Sequence, residues 1–243
     1  PHFTFMTTTR LLAGAMLLLG VGCTTAPDRP SSKSQLVADM KRATDHHSYS
    51  KPEEAVTTHL DWDAKVDFDA RQVTATATYV IETADDAKRL LLDCRDLTIH
   101  SVAVDGVDTE FELGPERPFI GQPLSIPITP QTEKVSVHYT TSPDAGAFLW
   151  VEGDSPFLFT QSQAILARTW VPCQDSPGVR FTYSADVEVP SSLMALMSAV
   201  NPTEKSSDGR YQFEMDQPIP SYLLAMAVGD VEFRSVGSHT GVY

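Results

Sequence analysis

The sequence predicts an all-β fold, a large multi-stranded β-sandwich over residues 52–243. From Thr57 onward, apolar and polar residues alternate with a period of two, as in strands that bury one face. Short runs of this kind recur at regular spacing between turn residues. No long segment has the apolar spacing of an amphipathic helix. We therefore expect twelve or more strands, arranged as two packed sheets with an extended curved face.

The predicted strands follow one another along the chain. Residues 59–68 alternate, residues 69–72 supply a turn, and residues 73–82 alternate again, which predicts a hairpin. Further strands of the same type are expected near 88–93, 97–104, 108–113, 123–129, 134–140, 147–152, 157–161, 180–189, 194–200, 211–215, 222–228 and 231–236. Two Asp-Gly pairs, at 105–106 and 208–209, are hairpin-turn signals, because glycine accepts the positive φ that such turns need.

The amino terminus has the pattern of an export signal over residues 1–22, with translation starting at Met6. Arg10 gives a short basic region, and the apolar stretch 11–22 is too short to span a bilayer but typical of a signal peptide. Cys23 directly follows this stretch, where a bacterial lipobox places its lipidated cysteine. We predict lipidation at Cys23 and a polar tether over residues 23–51. The alternative is an ordinary signal peptide whose cysteine is incidental.

The residue after Cys23 indicates which of the two bacterial membranes would hold the lipid anchor. Thr24 stands where an aspartate would favour retention in the inner membrane. We therefore expect an exported protein that is lipid-anchored to the bacterial membrane, with the outer membrane favoured, and that faces the periplasm.

Composition and charge exclude one class of partner. The 243 residues are 42% hydrophobic and 21% charged, as in an ordinary globular protein, and the formal net charge is −14. Nucleic-acid binding requires lysines and arginines that neutralise phosphates. We therefore expect no nucleic-acid partner.

The segment with the clearest functional pattern is residues 160–165, which read Thr-Gln-Ser-Gln-Ala-Ile. In an extended segment, Gln161 and Gln163 point their amides to the same face. An uncharged amide carries both a donor and an acceptor, which suits the amino terminus and first carbonyl of a peptide. From spacing alone, such a pair is more typical of a solvent-facing ladder than of a binding site.

The flanking segments favour the binding interpretation. Residues 52–242 resemble the amino-terminal domain of the aminopeptidase N family of zinc metallopeptidases, in its leukotriene hydrolase and aminopeptidase B branch. The resemblance is densest in residues 91–99, 160–177, 181–190 and 219–229. It implies a saddle-like amino-terminal β domain in which Gln163 binds the α-amine of a peptide substrate. It also implies that Gln161 contacts the peptide or supports Gln163. Most of the family carries glutamate where Gln163 stands.

The same resemblance implies that the parent protein is a zinc aminopeptidase acting on peptides with a free amino terminus. That family's zinc ligands come from His-Glu-x-x-His and a downstream glutamate, whereas none of the seven histidines here is followed by glutamate. The adjacent His46 and His47 face apart in regular structure and are predicted to be solvated. We therefore predict no catalytic residue, no metal ligand and no bound zinc in this chain.

Two functional hypotheses follow. In the first, the chain is the amino-terminal part of an exported zinc aminopeptidase, and its absent catalytic domain, which holds the zinc, is its partner. In the second, it is a stand-alone β-sandwich lipoprotein that acts as a binding module without catalysis.

Four further residues are predicted to be structural. Arg168 lies in an apolar neighbourhood, where it needs a carboxylate or several carbonyls as partners. Asp175 is predicted to cap a turn between two prolines. Cys94 and Cys173 are expected to be buried, unpaired small hydrophobes, although export makes a disulfide possible.

Overall fold

A computed structural model describes residues 45–243. These residues contain strands and two short 3₁₀ helices but no α-helix, which confirms the predicted all-β class. The strands are β1 (Ala55–Asp67), β2 (Gln72–Thr83), β3 (Arg89–Cys94), β4 (Leu97–Val104), β5 (Val107–Asp108), β6 (Glu112–Leu113), β7 (Gln122–Pro127), β8 (Lys134–Thr141), β9 (Phe148–Val151), β10 (Phe157–Thr160), β11 (Phe181–Glu188), β12 (Met194–Met197), β13 (Arg210–Ile219), β14 (Met226–Gly229), β15 (Arg234–Gly237) and β16 (Thr240–Val242). The 3₁₀ helices are Ala167–Thr169 and Ser221–Leu223.

The strands form four sheets rather than the two expected. A seven-stranded sheet has the order β13-β11-β1-β2-β8-β4-β5, and within it only β1 and β11 pair in parallel. The others are a four-stranded sheet, β12-β14-β10-β9, a three-stranded sheet, β3-β7-β6, and the β15-β16 hairpin. The segment predicted as one strand over 108–113 divides into β5 and β6, which pair with β4 and β7 in different sheets. One continuous strand could not pair with β4 in one sheet and with β7 in the other.

One hydrophobic core joins the three larger sheets. It contains the inward residues of β1 and β2 together with Leu92 of β3, Leu158 of β10 and Val228 of β14. At its centre, the Trp62 indole N–H donates to the Tyr139 hydroxyl at 2.9 Å, and that hydroxyl donates to the Trp170 carbonyl at 2.8 Å. The indoles of Trp62 and Trp170 meet edge to face, with ring centroids 5.3 Å apart. The segment around Trp170 is therefore held directly against the large sheet.

The two Asp-Gly pairs have different outcomes. Asp105 and Gly106 have φ values of +48° and +81° and connect the paired strands β4 and β5, as predicted. Gly209 also has a positive φ, +73°, but its turn does not form a hairpin. The strand before it, β12, pairs with β14, and the strand after it, β13, pairs with β11. The hairpin prediction for residues 208–209 is wrong because these two strands belong to different sheets.

The strand predicted over 222–228 is also shorter in the structure. Its first residues form the 3₁₀ helix Ser221–Leu223, and only Met226–Gly229 pairs as a strand. Pro218 and Pro220 have no backbone N–H to donate to a neighbouring strand. The Leu223 N–H instead donates to the Pro220 carbonyl at 3.0 Å.

The predicted signal peptide, Cys23 and most of the predicted tether lie outside the described residues. The last residues of that tether contact the domain: Ser48 and the Tyr49 backbone N–H both donate to Asp93, at 2.5 and 2.7 Å. Within residues 45–243, no helix has the length and apolar character needed to cross a bilayer.

Candidate functional site

The two glutamines lie directly after β10, which is one of the two central strands of the four-stranded sheet. The strand ends at Thr160, one residue earlier than predicted, and the Gln161 N–H continues the pairing by donating to the Ala147 carbonyl at 2.8 Å. Gln161 and Gln163 are exposed, whereas Ser162 between them is only 2% exposed. The structure thus places both glutamines on the exposed side of this segment, as the alternation predicts.

The two side chains have different hydrogen-bonding states. The Gln161 side-chain oxygen accepts the backbone N–H of Gln163 at 3.1 Å and so supports the turn that begins there. The peptide bond between Gln163 and Ala164 is cis. The side-chain amide of Gln163 makes no hydrogen bond to any described residue, so its donor and acceptor both remain available to a ligand.

Ser162 anchors this turn, and sequence reasoning did not identify it. Its hydroxyl donates to the Leu224 carbonyl at 2.7 Å and accepts the Trp170 indole N–H at 3.1 Å. Two residues earlier, the Thr160 hydroxyl accepts the Met226 N–H at 2.9 Å. The feature of the sequence that could have identified Ser162 is a small polar residue at the inward position between two outward glutamines. Two buried hydroxyls therefore tie the glutamine segment to the start of β14.

Arg168 confirms the prediction of a buried structural arginine. Its side chain is fully buried, and its Nε donates to Asp175 Oδ2 at 2.9 Å. Its remaining nitrogens donate to the backbone carbonyls of Ile120 at 2.8 Å and Asp175 at 3.0 Å. Asp93 Oδ1 lies 3.7 Å from Arg168 Nη1. The guanidinium thus joins three segments that are distant in sequence.

Electrostatics within this buried group act differently on the acid and on the base. Burial raises the pKa of the Asp93 carboxyl and outweighs the opposite effect of the Arg168 guanidinium. Burial disfavours the charge on Arg168, but Asp93 and Asp175 outweigh it and raise the arginine pKa. The arginine is therefore held in its charged form.

Asp175 does not cap a turn, so that prediction is wrong. One carboxylate oxygen accepts from Arg168, and the other accepts the Ser221 hydroxyl at 2.6 Å. Its backbone N–H donates to Asp93 Oδ2 at 3.0 Å. Asp175 Oδ2 also accepts the Arg168 backbone N–H at 3.3 Å, so its backbone partner lies seven residues earlier and not within the turn between Pro172 and Pro177. The buried positive charge of Arg168 requires this carboxylate as its partner.

The neighbouring residues of the same loop are also structural. Cys173 exchanges backbone hydrogen bonds with Asp93, at 2.7 and 3.1 Å. The buried Gln174 amide accepts the Thr57 N–H and donates to the Ala55 carbonyl, both at 2.8 Å. The loop is therefore bonded to β3 and to the start of β1.

Cys94 and Cys173 are buried and unpaired, as predicted. Burial raises the pKa of the Cys94 thiol to about 12 and that of Cys173 well above its ordinary value. At neutral pH both are therefore thiols, and neither has the thiolate character that nucleophilic catalysis requires.

The described residues do not fit a zinc site. Within residues 45–243, no three His, Cys, Asp or Glu side chains come together as a metal-binding group. His46 and His47 are both exposed, and the His47 backbone N–H donates to Asp45. We therefore derive no chemical step through a metal from these residues.

Comparison with known proteins gives one consistent result. Residues 56–223 match the family described as "Peptidase M1 N-terminal domain". The chain is 38% identical to leukotriene A-4 hydrolase from Xenopus laevis over 82% of this chain and 36% of that protein. It is 32% identical to leucine aminopeptidase 2 from Candida albicans over 76% of this chain and 30% of that protein. The chain thus spans about a third of the length of these relatives.

Solved structures show the same similarity. The yeast leukotriene A4 hydrolase structure aligns with a TM-score of 0.76 and 25% identity, covering 88% of this chain and 34% of that one. An M1 zinc metallopeptidase from Deinococcus radiodurans, a mutant bound to a Tyr-Ser-Ala substrate, aligns with a TM-score of 0.62 and 18% identity. That alignment covers 79% of this chain and 47% of the other, and it supports the fold alone.

Proposed function

Because the chain belongs to the M1 peptidase family, with the amino-terminal domain of that family over most of its length, we propose that it is the substrate-amine-binding domain of an exported zinc aminopeptidase. The complete enzyme removes amino-terminal residues from peptides. Gln163 binds the free α-amine of the substrate, and Gln161 supports Gln163. The zinc is held by residues outside 45–243, since the described residues do not fit it.

The observation that supports this proposal most directly is the exposure and hydrogen bonding of the Gln163 side chain. Its amide is exposed and has no hydrogen-bond partner among residues 45–243, while the backbone that bears it is fixed by Gln161 and Ser162. Its side-chain oxygen can accept a hydrogen bond from a substrate ammonium, and its NH₂ group can donate to the first carbonyl. A neutral amide holds an ammonium less strongly than a carboxylate would, because hydrogen bonds between two ionised groups are stronger. A support that is rigid before binding reduces the ordering cost of recognition.

The relatives support the reaction class. Their names describe a leukotriene hydrolase and leucine aminopeptidases, and the matching family model is that of a peptidase domain. The reading frame beyond Tyr243 tests the proposal directly. A continuation that encodes Gly-x-Met-Glu-Asn and His-Glu-x-x-His supports the peptidase, and a stop codon there favours a stand-alone binding module.

Purified from Thr24 onward, the chain is expected to bind no stoichiometric zinc and to hydrolyse no aminoacyl-anilide. The reason is the missing ligand cluster within residues 45–243. Metal analysis after dialysis, combined with a chromogenic anilide assay, measures both properties. One tightly held zinc per chain together with anilide hydrolysis would contradict the proposal that zinc and catalysis reside elsewhere.

The proposed location at the membrane depends on lipidation of Cys23, which lies outside the described residues. In cells, a Cys23→Ser variant is expected to move from the membrane fraction to the soluble periplasmic fraction, because serine lacks the thiol that carries the lipid, and the several acyl chains of a mature lipoprotein provide its stable anchor. Cys94→Ser is the matched control, since Cys94 is buried in the domain core and should leave fractionation unchanged. Equal membrane association of wild type and Cys23→Ser would exclude a lipid anchor at this residue.

A further inference from the structure

Leu223 lies at the same end of the four-stranded sheet as Gln163. In the β10-β14 pair, Leu158 is opposite Val228 and Phe159 is opposite Ala227. Beyond the ends of both strands, the Ser162 hydroxyl donates to the Leu224 carbonyl at 2.7 Å. Gln163 and Leu223 are the adjoining residues on the two segments, Gln163 in a turn and Leu223 at the end of the 3₁₀ helix Ser221–Leu223.

The exposure of the residues agrees with this arrangement. Ser162 and Leu224 are both 2% exposed, whereas Gln163 is exposed and Leu223 is 49% exposed. Gln163 and Leu223 therefore flank the bonded Ser162–Leu224 pair, and both side chains are exposed at this end of the sheet.

The position of Leu223 is fixed by the same buried network that supports the glutamines. Leu223 ends the 3₁₀ helix Ser221–Leu223, and the Ser221 hydroxyl is bonded to Asp175, the partner of Arg168. The network holds this large apolar side chain partly in solvent, at the same end of the sheet as the exposed Gln163 amide. Such an arrangement suits a ligand with a polar and an apolar group on adjacent atoms.

We propose that Leu223 contacts the side chain of the substrate's first residue and favours apolar side chains there. This inference rests on the proposed function, in which Gln163 binds the α-amine. The amine and the side chain are attached to the same α-carbon. When the amine is bonded to Gln163, that side chain therefore lies at the end of the sheet where Leu223 is exposed. Leu223 is thus a specificity-determining residue.

The test uses the complete protein that carries this domain and a series of aminoacyl-anilides. In Leu223→Ala, the ratio of kcat/KM for leucyl- and phenylalanyl-anilide to that for alanyl-anilide is expected to fall by about tenfold. Leu223→Gln keeps the side-chain length but removes the apolar contact, so it should reduce the same ratio. Leu149→Ala is the matched control, because Leu149 is 52% exposed on β9 of the same sheet but is opposite Phe159.

The outcomes separate this inference from the proposed function. An unchanged ratio in both Leu223 variants, or an equal loss for every anilide, would overturn the specificity role and assign Leu223 to packing. The Gln163→Ala variant reports on the proposed function, because it should weaken all substrates alike. If Gln163→Ala lowers activity while the Leu223 ratio stays constant, only the inference on Leu223 fails.

Discussion

Replacement of Gln163 by alanine in the complete protein is expected to lower kcat/KM for aminopeptidase substrates by about 10- to 150-fold. The variant loses one hydrogen bond to a charged amine, which contributes about 1.5–3 kcal/mol. Folding and zinc content should be unchanged, because the Gln163 amide has no partner among the described residues. Steady-state kinetics with several aminoacyl-anilides, together with thermal unfolding and metal analysis, measures all three properties.

Two variants control this experiment. Gln163→Glu should retain activity, since a carboxylate accepts from the same ammonium. Gln161→Ala removes a second exposed glutamine, but one whose side-chain oxygen is bonded to the Gln163 N–H, so a smaller loss is expected. An unchanged kcat/KM in Gln163→Ala across several substrates would show that this residue does not bind the amine.

Removal of the buried guanidinium should have the largest effect on stability. Arg168→Met is expected to lower the free energy of unfolding by about 3–5 kcal/mol, because it leaves the buried carboxylates of Asp93 and Asp175 without their counter-ion. It also leaves the carbonyls of Ile120 and Asp175 without their donors. Urea unfolding of the chain from Thr24 onward, followed by tryptophan fluorescence, provides the measurement.

The matched control is Arg210→Met. Arg210 also bonds a carboxylate, with Nη2 2.6 Å from Glu188 Oε2, but its side chain is 68% exposed. The urea midpoint of this variant should stay near that of wild type, because solvent screens the exposed pair. Equal midpoints for Arg168→Met and Arg210→Met would mean that the buried network does not stabilise the fold.

The buried network shows where prediction from sequence succeeded and where it stopped. The apolar neighbourhood of Arg168 predicts burial and a need for acceptors, because an unpaired buried charge is unfavourable. It cannot identify Asp93 or Ile120 as partners, since these residues are distant in the chain and meet only after folding. The capping prediction for Asp175 failed although Arg168 is only seven residues away, because spacing alone does not show that these two charged side chains meet in the core.

The sequence by itself determined the all-β class and the exposed glutamine pair, because both depend on a period of two that is local to each segment. Motif resemblance also identified the family. The tertiary structure alone decided the division into four sheets, the role of Ser162 and the position of Leu223 at the same end of the sheet as Gln163. Each of these depends on which strand pairs with which, and in what register. Pairing between segments separated by tens of residues depends on packing of the whole core, which alternation within one segment does not encode.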